Sequence, residues 1–226
     1  MRILMYHDIV SDTPREVHDV SVAQFAAQMS WLDETGYQVV SAESWAAART
    51  SKEPLPANAV AITFDDGFEN TYHLAWPILQ RHRFPATVFL VTGALAGTSA
   101  WRHGALAATS LLSRRQILQM AQGRIGFGSH TVTHTPLTDL TTVAAIDREL
   151  VVSKAALEQL LDREVVSLCY PFSRVNAEIR QRVQMAGYEL AFTYDPGYVG
   201  SPGHDPFQLR RTGILATDTL ETFAHK

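Results

Sequence analysis

The 226-residue chain has one cysteine, Cys169, and a lone thiol cannot close an internal disulfide, so no disulfide framework staples this fold. It has no apolar run near the roughly 20 residues that a spanning helix needs. It also lacks any block of like charges: the formal net charge is −4 and the pI about 6.1. That balance leaves no electrostatic footprint for nucleic acid or an anionic membrane surface. The apolar stretch after Arg2 is far too short for a signal-peptide core, and it carries His7 and Asp8 where a cleavage site would fall. The chain as given therefore reads as cytoplasmic, and a cell-envelope protein trimmed of its leader would read the same way. Repeats and low-complexity segments are missing too; "SKEPLPANA" and "SPGHDPF" are turn-rich loops rather than linkers. What is present is 46% hydrophobic residues, enough for one large core, so a single domain over residues 1–226 is expected.

Segments 2–6, 37–40, 59–64, 86–91, 124–127, 165–170 and 188–193 are short and apolar or β-branched, the pattern of strands buried on both faces. Helical patterns lie between them. In "SVAQFAAQMSWLDETG", Ser21 can cap the first turn and Gly36 can end the last. In "TTVAAIDRELVVSKAALEQLLD", Val143, Ile146, Leu150, Leu157 and Leu161 form one apolar stripe, and "SRRQILQMAQG" offers a capping box from Ser113 to Gln116. About seven strands alternating with about six helices imply βαβ units, hence a barrel or an open doubly wound sheet. In both, ligands and catalytic groups collect beyond the carboxyl ends of the strands. His7, the pair Asp65 and Asp66, His130 and Tyr170 each lie at or just beyond such an end, so four strand ends deliver chemistry to one rim.

The motif "TFDDG" is a good turn in its own right, with an aspartate capping the next helix and Gly67 supplying positive φ. Adjacent carboxylates repel, however, and two at a strand end are easier to keep charged if a cation takes one of them. "GSHTVTH" sets His130 and His134 four residues apart, right after the segment "RIGF". Surface or core histidines explain most pairs at that spacing, but two imidazoles with one carboxylate make three protein ligands and leave positions open for water and substrate. Asp66 is then the ligand, and Asp65 the base that takes a proton from water held at the metal.

In this order and spacing, "TFDDG", "SHTVTH" and "YPFS" resemble the NodB-type polysaccharide deacetylases, carbohydrate esterase family four, and the resemblance runs over nearly the whole chain. It implies a distorted (β/α) barrel and one divalent metal, zinc first, with cobalt, nickel and iron also suited to such ligands. It further implies removal of an acetyl group, most simply an N-acetyl group of an amino sugar in a poly- or oligosaccharide. Carried over by residue, Asp65 is the base, and Asp66, His130 and His134 are the metal ligands. The family's third motif commonly carries an arginine that holds the base; here "CYPF" puts Cys169 in its place, and the resemblance points instead to Arg211, or its neighbour Arg210, in "FQLRRTGI". The oxyanion donor corresponds to the backbone amide of Phe172, since Pro171 has no N–H. The late Leu-x-His motif that usually supplies the acid is not apparent, and the flanks of His225 do not match it. Members resembling the poly-N-acetylglucosamine deacetylases begin with a strand ending in Tyr-His, like "LMYHDI", which makes His7 the candidate acid. Trp101, in a polar loop after segment 86–91, and Tyr170, in the third motif, are the candidate sugar-stacking aromatics. Cys169 reads as a small buried residue rather than a nucleophile. Two other functions share these residues: a carbohydrate-binding barrel that has lost catalysis, supported by the missing arginine, and a non-haem iron enzyme, which has no need of a second aspartate.

Overall fold

The computed structural model describes residues 2–11, 13–51, 55–195 and 205–226. Its frame is a set of short parallel strands, mostly buried except for β4: β1 (Arg2–Tyr6), β4 (Gln38–Val40), β5 (Ala59–Phe64), β6 (Ala86–Leu90), β7 (Ile125–Ser129), β8 (Ser167–Cys169), β9 (Leu190–Tyr194) and β10 (Leu209–Gly213). A two-stranded ribbon, β2 (Ile9–Val10) with β3 (Val20–Ser21), continues from β1. Seven strands close a ring in the order β1, β10, β9, β8, β7, β6, β5, because β5 pairs back onto β1 from Arg2↔Val60 to Tyr6↔Phe64. Strand β4 lies outside that ring. It pairs with the start of β5, Gln38↔Ala59 to Val40↔Ala61, on the edge that β5 gives to β6 at Thr63 and Phe64. The barrel expected from the sequence is thus present, but its seventh strand is β10 rather than segment 37–40.

Seven α-helices are seen among the described residues: α1 (Val22–Glu34), α2 (Ala42–Thr50), α3 (Trp76–His82), α4 (Arg114–Ala121), α5 (Val143–Leu161), α6 (Ala177–Met185) and α7 (Leu220–Ala224). Ser21 and Ser113 each complete a capping box, with Gln24 and Gln116, so two orphan N–H groups per helix start are satisfied locally. Along α5, Ile146, Leu150 and Leu157 are buried. Val143 is not: as the first residue of the helix it precedes the part covered by the sheet and stays 45% exposed. No helix among the described residues is long and apolar enough to cross a membrane.

Side chains alternate across the strands, so the sheet has two cores. Leu4, Ile62, Val88, Phe127 and Leu168 belong to the large cluster shared with the helices. Ile3, Ala61, Phe89, Cys169, Phe192 and Leu209 make the smaller one, inside the barrel, joined by Ala42 and Ala46 of α2. The Ala42 N–H donates to Thr87 Oγ1 at 3.2 Å, which fixes α2 across the amino end of the barrel. That end is plugged, and the carboxyl ends of the strands are left to form a cleft.

Candidate active site

Strand β5 runs apolar to Phe64 and then turns at once. Asp66 (φ 69°) and Gly67 (φ 75°) both take the left-handed region, and the Gly67 N–H donates to the Asp65 carbonyl at 2.8 Å. Two consecutive aspartates therefore leave the strand in different directions. A Cβ on Gly67 would come within 2.6 Å of Leu90, so glycine serves here for space as well as for φ.

Asp66 points toward the loop after β7. His134 Nε2 lies 3.0 Å from Asp66 Oδ1 and His130 Nε2 lies 3.4 Å from it. The His130 Nδ1–H donates to the Cys169 carbonyl at 2.8 Å, so the lone pair of Nε2 is turned to Asp66, as in many metal-ligating histidines. His134 reaches the same spot from a strained loop, with Thr131 at φ 67° and itself at φ 63°. Glu149 of α5 holds that loop: Oε2 accepts from the Val132 and Thr133 N–H groups at 2.8 and 2.9 Å, and Oε1 accepts from Thr133 Oγ1 at 2.9 Å. Burial pushes the Asp66 carboxyl up, but the two imidazoles beside it, His130 and His134, outweigh that and hold the group well below its usual range.

Asp66 Oδ1 and His134 Nδ1 are buried without a hydrogen-bond partner. Buried polar atoms left without a partner are costly and uncommon. The ligand atoms of Asp66, His130 and His134 all lie within 4.8 Å of one another. An oxygen and two imidazole nitrogens at that spacing suit zinc and related divalent ions, and a cation would satisfy the orphaned carboxylate oxygen.

Asp65 points the other way, to β10. The Arg211 guanidinium grips it bidentately, Nη1 to Oδ1 at 2.7 Å and Nη2 to Oδ2 at 2.6 Å, and also donates to Thr63 Oγ1 and the Thr193 carbonyl, each at 3.1 Å. Arg211 is 1% exposed, which a guanidinium tolerates only when paired in this way. Arg210 faces outward and pairs with Asp195 at 3.2 Å. Burial pushes the Asp65 carboxyl up, but the charge and hydrogen bonds of Arg211 bring it down to about 2. Cys169, where a third-motif arginine would stand, sits 3.0 Å from Arg211 Nη2, and burial raises its thiol pKa. A protonated thiol is no nucleophile, so the residue packs.

His7, just past β1, directs Nε2 toward Asp65 Oδ2 at 4.0 Å. With Asp65, Asp66, His130 and His134 it lines one cleft of about 430 Å³. Trp101 also lines it and stacks on the His134 ring, centroids 4.5 Å apart and planes 21° apart. Phe172 stands at the wall with φ 53°, its ring meeting His134 edge-on at 4.8 Å and 58% exposed. Tyr170 departs from the expectation of a sugar-stacking ring. It lines the cleft, but it is 1% exposed and its hydroxyl donates to the Phe207 carbonyl at 2.9 Å, so little of its ring is open to a sugar. Three contributors escaped the sequence reading: Glu149, Arg102, which ties the Trp101 loop to Asp19 at 3.2 Å, and His18, which stacks on His7. Only Glu149 left a trace, as an acidic residue beside Leu150 on the buried face of α5.

A seven-stranded parallel barrel with Asp-Asp on one strand end and His-x-x-x-His on another defines a deacetylase-type barrel. The family model for polysaccharide deacetylase matches residues 52–191, and the chain belongs to that family. It is 30% identical over 195 residues to the Bacillus subtilis protein named "Putative polysaccharide deacetylase YxkH", covering 86% of this chain and 64% of that one. It is 25% identical over 240 residues to the poly-beta-1,6-N-acetyl-D-glucosamine N-deacetylase of Escherichia coli K12, covering 92% of this chain and 35% of that protein. This chain thus spans less than two thirds of the length of either relative. The solved structure of Streptococcus pyogenes deacetylase PplD in complex with acetate superposes with a TM-score of 0.83 at 26% identity, covering 99% of this chain and 96% of that one.

Proposed function

We propose that this chain is a metal-dependent hydrolase that removes an acetyl group, most simply the N-acetyl group of an amino sugar, from a poly- or oligosaccharide. The observation that carries the reading is the split of two adjacent aspartates, one saturated by Arg211 and the other left with an orphaned oxygen between two imidazoles. Asp66, His130 and His134 would hold the ion, zinc before cobalt, nickel or iron. When bound, such an ion polarises a carbonyl and lowers the pKa of water.

The remaining steps fall to side chains of the cleft. Asp65, held by Arg211 and with a pKa of about 2, is ionised at any working pH and accepts the proton of the attacking water. Arg211 also fixes the direction of that carboxylate, because a bidentate pair defines a plane. His7, 4.0 Å away, gives a proton to the departing amine, which leaves poorly without one. The Phe172 N–H serves the oxyanion, and Trp101, stacked on one ligand ring, lines the cleft where the sugar would lie. The test is acetate release from a panel of N- and O-acetylated oligosaccharides, before and after chelation and with each metal restored. Release that is lost on chelation and recovered with a divalent ion supports the proposal. Release unaffected by chelation contradicts it.

A further inference from the structure

His7 does not stand alone on the cleft wall. The His18 ring lies face to face with it, centroids 4.8 Å apart and planes 20° apart, and Tyr194 meets His18 edge-on at 5.4 Å. The backbone on either side of His18 is pinned. Asp19 Oδ2 accepts from the Arg15 and Glu16 N–H groups at 2.9 and 3.1 Å, and its Oδ1 pairs with Arg102 at 3.2 Å. The Val17 carbonyl accepts from the Ala216 N–H at 2.8 Å, and Val20 is registered against Ile9. His7 Nδ1 and His18 Nδ1 are both buried without a partner, so no hydrogen bond at that atom orients the His7 ring; the stacked face does.

Two rings in this arrangement cannot pass a proton across their faces, and two charges so close would repel. Burial, helped by His7, holds His18 down to about 4, so it stays neutral near pH 7. The other titratable and charged groups around the pair are Asp65, with Arg211 behind it, Asp66, Tyr194 and Lys226, with Glu16 and Asp19 on the His18 segment.

We infer that His18 is a positioning residue for His7, a stacked ring held by a pinned backbone that fixes the His7 imidazole over the cleft. This rests on the reading of His7 as the acid. The experiment compares His7→Ala, His18→Ala and His18→Phe in kcat/KM against pH, on an N-acetylated chito-oligosaccharide and on an activated aryl acetate, with metal content and melting temperature measured alongside. His18→Ala should lose roughly 10- to 10²-fold on the amide, as a misplacement of about 1 Å does, lose less on the ester and shift the alkaline limb of the amide profile. Metal content should match wild type. His18→Phe, which keeps a flat ring, should recover most of the lost rate. If the alanine variant does not fold, His18→Gln, which has volume but no ring, takes its place.

A His18→Ala profile superimposable on wild type would overturn the inference. So would a loss in His18→Phe as deep as in His18→Ala, which would assign the imidazole itself to the chemistry. An amide-selective loss in His7→Ala without one in His18→Ala sinks the inference alone. Equal amide and ester losses in His7→Ala sink the acid role of His7 and the inference with it.

Discussion

Asp65 and Asp66 are neighbours in the chain and occupy opposite environments. Toward β10, Asp65 meets a buried guanidinium that satisfies both of its oxygens within 2.7 Å. Toward the loop after β7, Asp66 meets two imidazoles and keeps an oxygen with no donor. The left-handed turn at Asp66 (φ 69°) separates them. The β10 half of the site is complete in its own side chains, whereas the β7 half is arranged as a ligand set. A charged pair placed between these halves can do two jobs at once, because a cation bound to one carboxylate need not take the other.

Removing a ligand from the β7 half should have the largest effect. His130→Ala should abolish both metal retention and activity, since a site of three protein ligands cannot spare one; metal content equal to wild type would break the distinction between the halves. His7→Ala, on the β10 side, should keep the metal and lower the amide rate by roughly 10²–10⁴-fold, with a smaller loss on an activated ester and no alkaline limb in the pH profile of kcat/KM. Glu149→Gln should loosen the His134 loop and weaken metal affinity by about 10- to 100-fold, the usual cost of disturbing a group that orients a ligand. Titration of the apo protein with zinc against a competing chelator would measure it.

The smallest effect belongs to Asp8, a third buried carboxylate near this rim that has neither a bidentate cation nor two imidazoles. Burial raises it from 3.8 to about 6, only partly offset by the hydrogen bond from Asn70. A carboxyl raised in the folded state stabilises the fold fully below its unfolded pKa, and that contribution is lost as pH rises through about 6. Asp8→Asn should flatten the pH dependence of stability between about 4 and 6, readable in urea melts at a series of pH values.

Most of the barrel was legible because buried parallel strands are uniformly apolar, and β1, β5, β6 and β9 are runs of that kind. Strand β10 was not. "LRRTG" places Arg211 in the interior, which is stable only because Asp65 lies opposite it, a partner 146 residues away. The same distance left two arginines open as candidates; in the fold Arg210 faces outward. With Arg211 on Asp65, the missing third-motif arginine no longer argues for a barrel that has lost catalysis. The strand-end residues could be found because each apolar run stops at them. His18 could not, since it lies in a loop with no period, and its partner is identified only by the ring contact. The depth of Tyr170 was not legible, because nothing local shows that its hydroxyl reaches Phe207 and leaves the ring 1% exposed.

The division between the two aspartates is tested most directly by one paired measurement. Asp65→Asn and Asp66→Asn, prepared identically and confirmed as folded, are compared for bound metal per chain and for acetate release. We expect Asp65→Asn to hold the metal at the wild-type level while losing roughly 10²–10⁴-fold in rate, and Asp66→Asn to lose both. Equal metal content in the two variants, or near-normal turnover in Asp65→Asn, would contradict the assignment of one carboxylate to the ion and the other to the proton.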